Sequence, residues 1–417
     1  MSPLWMAYRV IAPWLGALAP AARVFASPEE RLLWQERLGD VPEAGPVDAW
    51  LHGASMGEAL AVAPLARELS ALQRDARFHL TATTRGGRSR LAQLAHPASL
   101  APIDAPQAVG RFFARIQPRR LFIVETEVWP HWLLRARDQR VPVAFVSARL
   151  SQRSTHRYQR LGGGLRSLIE GLAGVLCQTE RDREHWLALG APRERTAVVG
   201  NLKADALPAP AADRGAARAA LRLDRDRPLL VLGNLRPGEP ARVWRAWAAL
   251  PRAVRETWQV VAVPRHPRAA AELRAEALRA GALVADGGPP RDGAWCWDDR
   301  LGVLASFYAV SDVAVVGGTF GSYGGHNPLE PAACGAAVLV GPHYHAQAEA
   351  VARLLARRAI RVARNDEELR AALAELLATP DLRAGMAAGA LETVQAVRGA
   401  ARRAVARLVE WRLWPAD

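Results

Sequence analysis

Cysteine is scarce in this 417-residue chain: Cys177, Cys296 and Cys334 are the only three, without metal-ligand spacing or the look of a disulfide framework. That excludes a disulfide-stapled secreted scaffold and fits a reducing cytoplasmic compartment. Long apolar runs are also absent. The N-terminal stretch MSPLWMAYRVIAPWLGALAPAARVF is apolar and aromatic, but Arg9, Pro3, Pro13 and Pro20 break it before about 20 clean residues accumulate, so it is a poor transmembrane helix. A lone Arg9 inside the apolar run, with no convincing small-residue cleavage site, also argues against a signal peptide. There is no G-x-x-x-x-G-K-[ST] and no strand-linked G-x-G-x-x-G with a trailing acid, which removes P-loop ATPases and ordinary dinucleotide oxidoreductases. No repeat of solenoid period is present. The acids lie singly, so no metal cluster is expected.

Acidic residues are in deficit. Lys and Arg number 55 against 41 Asp and Glu, a formal net charge of +14. Such a balance favours anionic partners: a phosphorylated substrate, anionic lipid or nucleic acid. No nucleic-acid reader motif or aromatic-studded basic groove appears, which sets nucleic acid aside. The N-terminal stretch reads as an interfacial anchor, with Trp5, Tyr8 and Trp14 at headgroup level and Arg9, Arg23 and Arg31 toward anionic lipid. The alternative is a helix packed on its own domain.

The length favours two or three domains. Short apolar runs alternate with amphipathic stretches in the manner of βαβ units and a parallel sheet. Strands are expected in two series. The first comprises 49–54, 79–84, 120–126, 141–148 and 174–179; the second comprises 228–234, 258–265, 312–318 and 336–342. Between them, KADALPAPAADRGAARAALRL reads as a linker running into a helix. From about 348 onward the pattern is helical. Two similar α/β halves predict a ligand cleft at the carboxyl ends of their strands.

Two stretches carry chemistry. In VGGTFGSYGGHNPLEPAACG, 316–335, a buried strand runs into a glycine-rich loop and then a helix. Asn327 is a natural N-cap, Pro328 suits the first helical position, and Glu330 falls where a capping box would place it. The glycines let backbone N–H groups approach a phosphate or a nucleotide ribose. In LHGASMGEAL, 51–60, a strand end and a short loop deliver Glu58 to the start of a helix. A carboxylate there is placed as a general base, and equally as a helix-dipole partner.

Taken in order, HGASMGE (52–58), ETEVWP (125–130), SARLSQRS (147–154), QTERD (178–182), GNLKAD (200–205), PRHP (264–267) and VGGTFGSYGGHNPLEP (316–331) resemble the Kdo transferases of lipopolysaccharide assembly. The resemblance implies a GT-B glycosyltransferase, two Rossmann-like domains with parallel sheets facing a central cleft, moving 3-deoxy-D-manno-oct-2-ulosonic acid (Kdo) from CMP-Kdo to a lipid A precursor. Joined to the reading of the residues, it gives a membrane-associating segment at 1–26, an acceptor-binding domain at 27–205, a linker at 206–226, a CMP-sugar-binding domain at 227–380 and C-terminal helices at 381–417, with the first 25 residues and the tail from about 345 the least covered by the resemblance. The setting would be the cytoplasmic face of the inner membrane.

Carried over residue by residue, the resemblance makes Glu58 the base, with Glu125 and Lys203 stabilising the transition state. Nucleotide contacts fall to Arg265 and His266, the turn Leu301, Gly302 and Val303, and the segment Asn327, Pro328, Leu329 and Glu330. No cofactor or metal is implied. The chain departs from the family at Val303, where relatives carry an acid, leaving only a backbone role. It departs at Arg236, where they carry a histidine, and in TATTRGGRS at 81–89, which makes Arg85, Arg88 and Arg90 candidates for lipid A phosphates. These departures keep open a related transferase that uses another CMP-activated ulosonic acid or another acceptor.

Overall fold

The computed structural model describes residues 3–18, 27–285 and 293–415. The chain divides into two compact units, Met1–Ala206 with Val397–Asp417, and Leu207–Ala396. Arg23 and part of the 1–26 segment lie outside the described residues.

The first unit is built on seven parallel strands: β1 (Ala49–His52), β2 (Phe78–Ala82), β3 (Ala98–Leu100), β4 (Leu121–Val124), β5 (Val143–Ala148), β6 (Gly174–Cys177) and β7 (Thr196–Val198), in the order β3-β2-β1-β4-β5-β6-β7. The second repeats the plan with β8 (Leu229–Leu235), β9 (Gln259–Pro264), β10 (Val284–Ala285), β11 (Trp295–Trp297), β12 (Val313–Val316), β13 (Ala337–Val340) and β14 (Ile360–Val362), ordered β10-β11-β9-β8-β12-β13-β14. Runs such as LFIV, VAVV and AVLV are buried at every position, as strands covered by helices on both faces must be. Covering helices supply the complementary stripe: in Pro106–Ile116 the buried residues are Ala108, Val109, Phe112, Phe113 and Ile116, at helical spacing.

The nine strands expected from the sequence are all present. The structure adds β3, β7, β10, β11 and β14, none longer than three residues. β14 corrects the expectation that everything beyond 348 is helical. The 206–226 region contains the helix Arg214–Ala220, and the last helix, Ala400–Glu410, packs into the core of the first unit.

The N-terminal helix Pro3–Leu18 runs through Pro13 and has two apolar faces. Trp5 and Ala12 are buried, and the Tyr8 hydroxyl donates to Asp104 and lies 2.9 Å from His131 Nδ1. Trp5 and Tyr8 are therefore committed to the protein, which corrects their placement at headgroup level. Leu4, Met6, Val10, Ile11 and Trp14 remain exposed, Trp14 at 68%. No helix among the described residues is long and apolar enough to cross a membrane.

Candidate active site

Strand order reverses in each sheet between two neighbours, β1 and β4 in the first and β8 and β12 in the second. Loops leaving such a pair part to opposite sides and open a crevice at the carboxyl ends. The expected site residues lie on loops and turns around the two sheets, most of them near these two places.

In the first unit, β1 ends at His52 and the helix Met56–Leu72 begins three residues beyond Gly53. Ser55 caps this helix: Glu58 N–H donates to Ser55 Oγ (3.3 Å) and Ser55 N–H donates to Glu58 Oε2 (3.0 Å). The helix-start reading of Glu58 is thus realised, but its consequence for chemistry is to fix the carboxylate through one oxygen. Burial raises its pKa above the ordinary carboxylate value, against the pull of the Ser55 N–H; Glu125 and Glu127 push the same way and Lys203 opposes them.

Glu125 follows β4 with a left-handed backbone, φ +66°, uncommon for a side-chain-bearing residue and characteristic of functional sites. Its carboxylate is paired with the Lys203 ammonium. Lys203 rides on the turn Leu202–Ala206, and that turn is anchored by Leu202 N–H donating to Ser147 Oγ (3.2 Å) at a register shift in β5. Glu58, Glu125 and Lys203, separated by up to 145 positions in the sequence, therefore meet at one crevice.

The arginines of the 81–89 loop are less free than expected. Arg88 makes a two-pronged bond to Glu36, which is buried, and Arg85 pairs with Glu30. Arg88 is therefore a structural residue, which overturns its candidacy for lipid A phosphates. Arg90 donates to Gln93 at the surface.

In the second unit, Gly317 leaves β12 so close to β8 that a Cβ would stand 2.4 Å from Asn234 O. Glu239 fastens the two loops, accepting from Arg236 N–H (2.9 Å), Gly318 N–H (2.9 Å) and Phe320 N–H (3.0 Å). Around this staple lie Arg236, Arg265, His266 and His326, near enough for their charges to act on one another. Burial, with Arg265, Arg236 and His266, pushes His326 down to about 4, so its ring is neutral at pH 7; its Nε2 is buried without a partner. The Arg236 guanidinium lies 4.4 Å from the Tyr323 ring centre.

The helix after the glycine loop starts one residue later than expected, at Leu329, with Pro328 as its cap residue. Asn327 still serves it, since Leu329 N–H donates to Asn327 Oδ1 (3.1 Å), but Glu330 forms no capping box. Burial raises the Glu330 carboxyl, against Arg265 and a hydrogen bond with Asn327. Arg265 and His266 follow β9, and Leu301, Gly302 and Val303 follow β11, its neighbour, so all face the same sheet edge. Leu301 is 84% exposed and Gly302 is left-handed at φ +84°. No hydrogen bond among the described residues joins this turn to the Arg265 cluster. Among the described residues no group of three or more His, Cys, Asp or Glu is arranged to hold a metal.

Sequence reasoning had not singled out His52, Glu127, Glu239 or His326. His52, Glu127 and His326 lie inside the family-like motifs, and Glu239 three residues beyond Arg236, the only signals that pointed to them.

Residues 33–206 match the family model of 3-deoxy-D-manno-octulosonic-acid transferase (kdotransferase), and 305–408 match a glycosyl transferase-like model. The chain is 38% identical to the 3-deoxy-D-manno-octulosonic acid transferase of Bordetella pertussis over 89% of its length and 88% of the relative's. It is 30% identical to the enzyme of the same name from Chlamydophila psittaci, over 76% and 74%. In fold it is similar to UDP-GlcNAc 2-epimerase from Neisseria meningitidis, with a TM-score of 0.59 at 16% identity over 88% of this chain and 100% of that one.

Proposed function

The chain belongs to the 3-deoxy-D-manno-octulosonic-acid transferase family, and on that premise we propose that it transfers Kdo from CMP-Kdo to a lipid A precursor with inversion, Glu58 acting as general base. The acceptor hydroxyl gives its proton to Glu58 while its oxygen attacks the anomeric carbon of Kdo. The bond from that carbon to the CMP phosphate oxygen breaks on the opposite face, and CMP departs with the electron pair. The observation that carries this reading is a half-buried carboxylate, fixed by the Ser55 cap and with its pKa raised by burial, beside the Lys203–Glu125 pair at the crevice between β1 and β4.

Lys203 is a fixed cation for the Kdo carboxylate or the departing phosphate, held in place by Glu125. In the second unit Arg265, His266, Arg236 and the neutral His326 offer charge and N–H groups to the phosphate, and the half-buried Glu330 is suited to accept from ribose hydroxyls. These groups meet the leaving-group charge without a metal. The exposed Leu4, Met6, Val10, Ile11 and Trp14 would rest on an anionic membrane surface, placing the protein at the cytoplasmic face of the inner membrane.

The test is mass spectrometry of a tetraacylated lipid A precursor incubated with CMP-Kdo, with a chelator present throughout. Mass gains in Kdo steps are expected, falling about 10²- to 10⁴-fold in rate for Glu58→Ala. Activity in that variant would remove Glu58 as the base, and a requirement for added magnesium would overturn metal independence. Arg236, stacked on Tyr323, favours one second reading, a different CMP-activated ulosonic acid as donor; competition between donors separates the two.

A further inference from the structure

The two glutamates of ETE lead different lives. Glu125 is paired with Lys203, whereas Glu127, two residues on, gathers three donors on a single oxygen: His52 Nε2 at 3.1 Å, Thr83 Oγ1 at 3.0 Å and Trp129 Nε1 at 2.8 Å all reach its Oε2. The donors come from the end of β1, from the loop after β2 and from the loop after β4. A carboxylate gripped from three elements cannot turn away. Burial pushes the Glu127 carboxyl up, but the His52, Trp129 and Thr83 bonds outweigh it and hold it below the ordinary range.

Behind Glu127 the chain of bonds continues into the core. His52 Nδ1 lies 2.8 Å from Thr81 Oγ1, and Trp50 Nε1–H donates to that same oxygen at 2.7 Å; Trp50, His52 and Thr81 are all fully buried. An indole N–H only donates, so the Thr81 hydroxyl hydrogen is left for His52 Nδ1. In the neutral imidazole this fixes the hydrogen on Nε2, pointing at Glu127. The His52 ring is further held edge-on to Trp132, with centres 4.9 Å apart.

This assembly adjoins Glu58. Thr83, one of the three donors, gives its own N–H to Ala54 O (2.8 Å), and Ala54 precedes the Ser55 cap that fixes Glu58. The charged groups facing Glu58 are Glu125 and Glu127 from the loop after β4 and Lys203 from the Leu202–Ala206 turn. Lys203 compensates Glu125 directly. Glu127 is the carboxylate there whose three donors come from a ring nitrogen, a hydroxyl and an indole.

We propose that Glu127, anchored through His52, is a positioning residue that holds a fixed negative charge beside Glu58 and so sets the pH at which the base becomes competent. The inference rests on the reading of Glu58 as that base. Glu127 touches neither substrate in this role; it acts through Glu58.

The experiment is the pH profile of kcat/KM for Kdo transfer by the full chain, measured for the wild type, Glu127→Gln, His52→Gln, His52→Phe and Glu58→Ala. Glu127→Gln keeps the shape and removes the charge. Its acidic limb should move to lower pH by about one unit, because the like charge that disfavours ionisation of Glu58 is gone. The plateau kcat should fall roughly threefold as the base weakens, with KM unchanged. His52→Gln retains an N–H for Glu127 and should keep the limb at the wild-type position. Limb position does not depend on the active fraction, so partial unfolding cannot imitate the shift. A Glu127→Gln limb superimposed on the wild type, with Glu58→Ala inactive, overturns the inference and spares the base. A His52→Phe variant, which offers Glu127 no N–H, should displace the limb toward that of Glu127→Gln; a limb that stays at the wild-type position there overturns the anchoring role, and an active Glu58→Ala overturns both readings.

Discussion

The carboxylate of Glu239 is almost fully enclosed, yet it accepts from three backbone N–H groups belonging to two loops. Burial raises its pKa against those donors. Glu239→Ala would strip their acceptor, and at about 1–3 kcal/mol for each buried donor left unpaired the second unit should lose roughly 3 kcal/mol or more. For a unit of this size that is a fall in Tm of about 6–12 °C, accompanied by weaker CMP binding, because the staple holds the loop that carries His326 and Asn327. Thermal unfolding with and without CMP checks both, and a variant with unchanged Tm would contradict the staple. At this scale the sequence was legible where a residue's partners are local. Ser55 and Glu58 lie three apart and announce a helix start, as they prove to be. Glu239 and Glu127 were opaque because their donors arrive from far along the chain: Gly318 lies 79 residues from Glu239, and His52 lies 75 from Glu127.

Elements with four or more buried apolar residues in a row, such as β4, β12 and β13, declared themselves through composition. β10 and β11 did not, because two or three residues carry no period and WCW is as compatible with a helix as with a strand. The N-terminal helix shows the same limit in another form. Its aromatic and aliphatic residues run almost all the way round, so its sequence does not say which arc docks. The partner decides: the Trp5 ring lies against Gly164, where any Cβ would stand 2.3 Å from the indole nitrogen. Positions 6, 10 and 14, at the four-residue helical spacing, with 4 and 11 beside them, are left facing outward. Ile11→Ser with Trp14→Ser should therefore reduce co-sedimentation with anionic vesicles by at least about tenfold, given 1.5–3 kcal/mol per lost apolar side chain, while leaving Tm unchanged. Trp5→Ala should do the reverse, costing about 3–5 kcal/mol of stability. Undiminished vesicle binding by the double variant would remove this helix face as the proposed membrane contact.

At the scale of the whole molecule, the chain leaves the first unit at Ala206 and returns to it at Val397. The returning segment completes that unit's core: Ala400, Ala401, Ala404, Val405, Leu408, Trp411, Leu413 and Trp414 pack with Leu65, Leu69, Phe78 and Phe122, and Trp414 Nε1–H donates to Leu69 O (3.2 Å). Asp205 accepts from Gly399 N–H and Ala401 N–H, which ties the start of the last helix to the turn that carries Lys203. Sequence patterning marked this tail as helical and arginine-rich but gave no sign of which sheet it covers, because that depends on where the chain goes after crossing a second domain. A chain ending at Ala396 would thus expose the apolar face of the first unit and free the Lys203 turn, while leaving the second unit's sheet and its Glu239 staple intact. Limited proteolysis should then degrade the first unit and spare the second, and Kdo transfer should be lost with CMP binding retained. Trp414→Ala offers a graded version, costing about 3–5 kcal/mol in the unfolding of the first unit alone. Equal protection of both units in the truncated chain would mean that the first core closes without its tail, and the route by which Asp205 steadies Lys203 would fall with it.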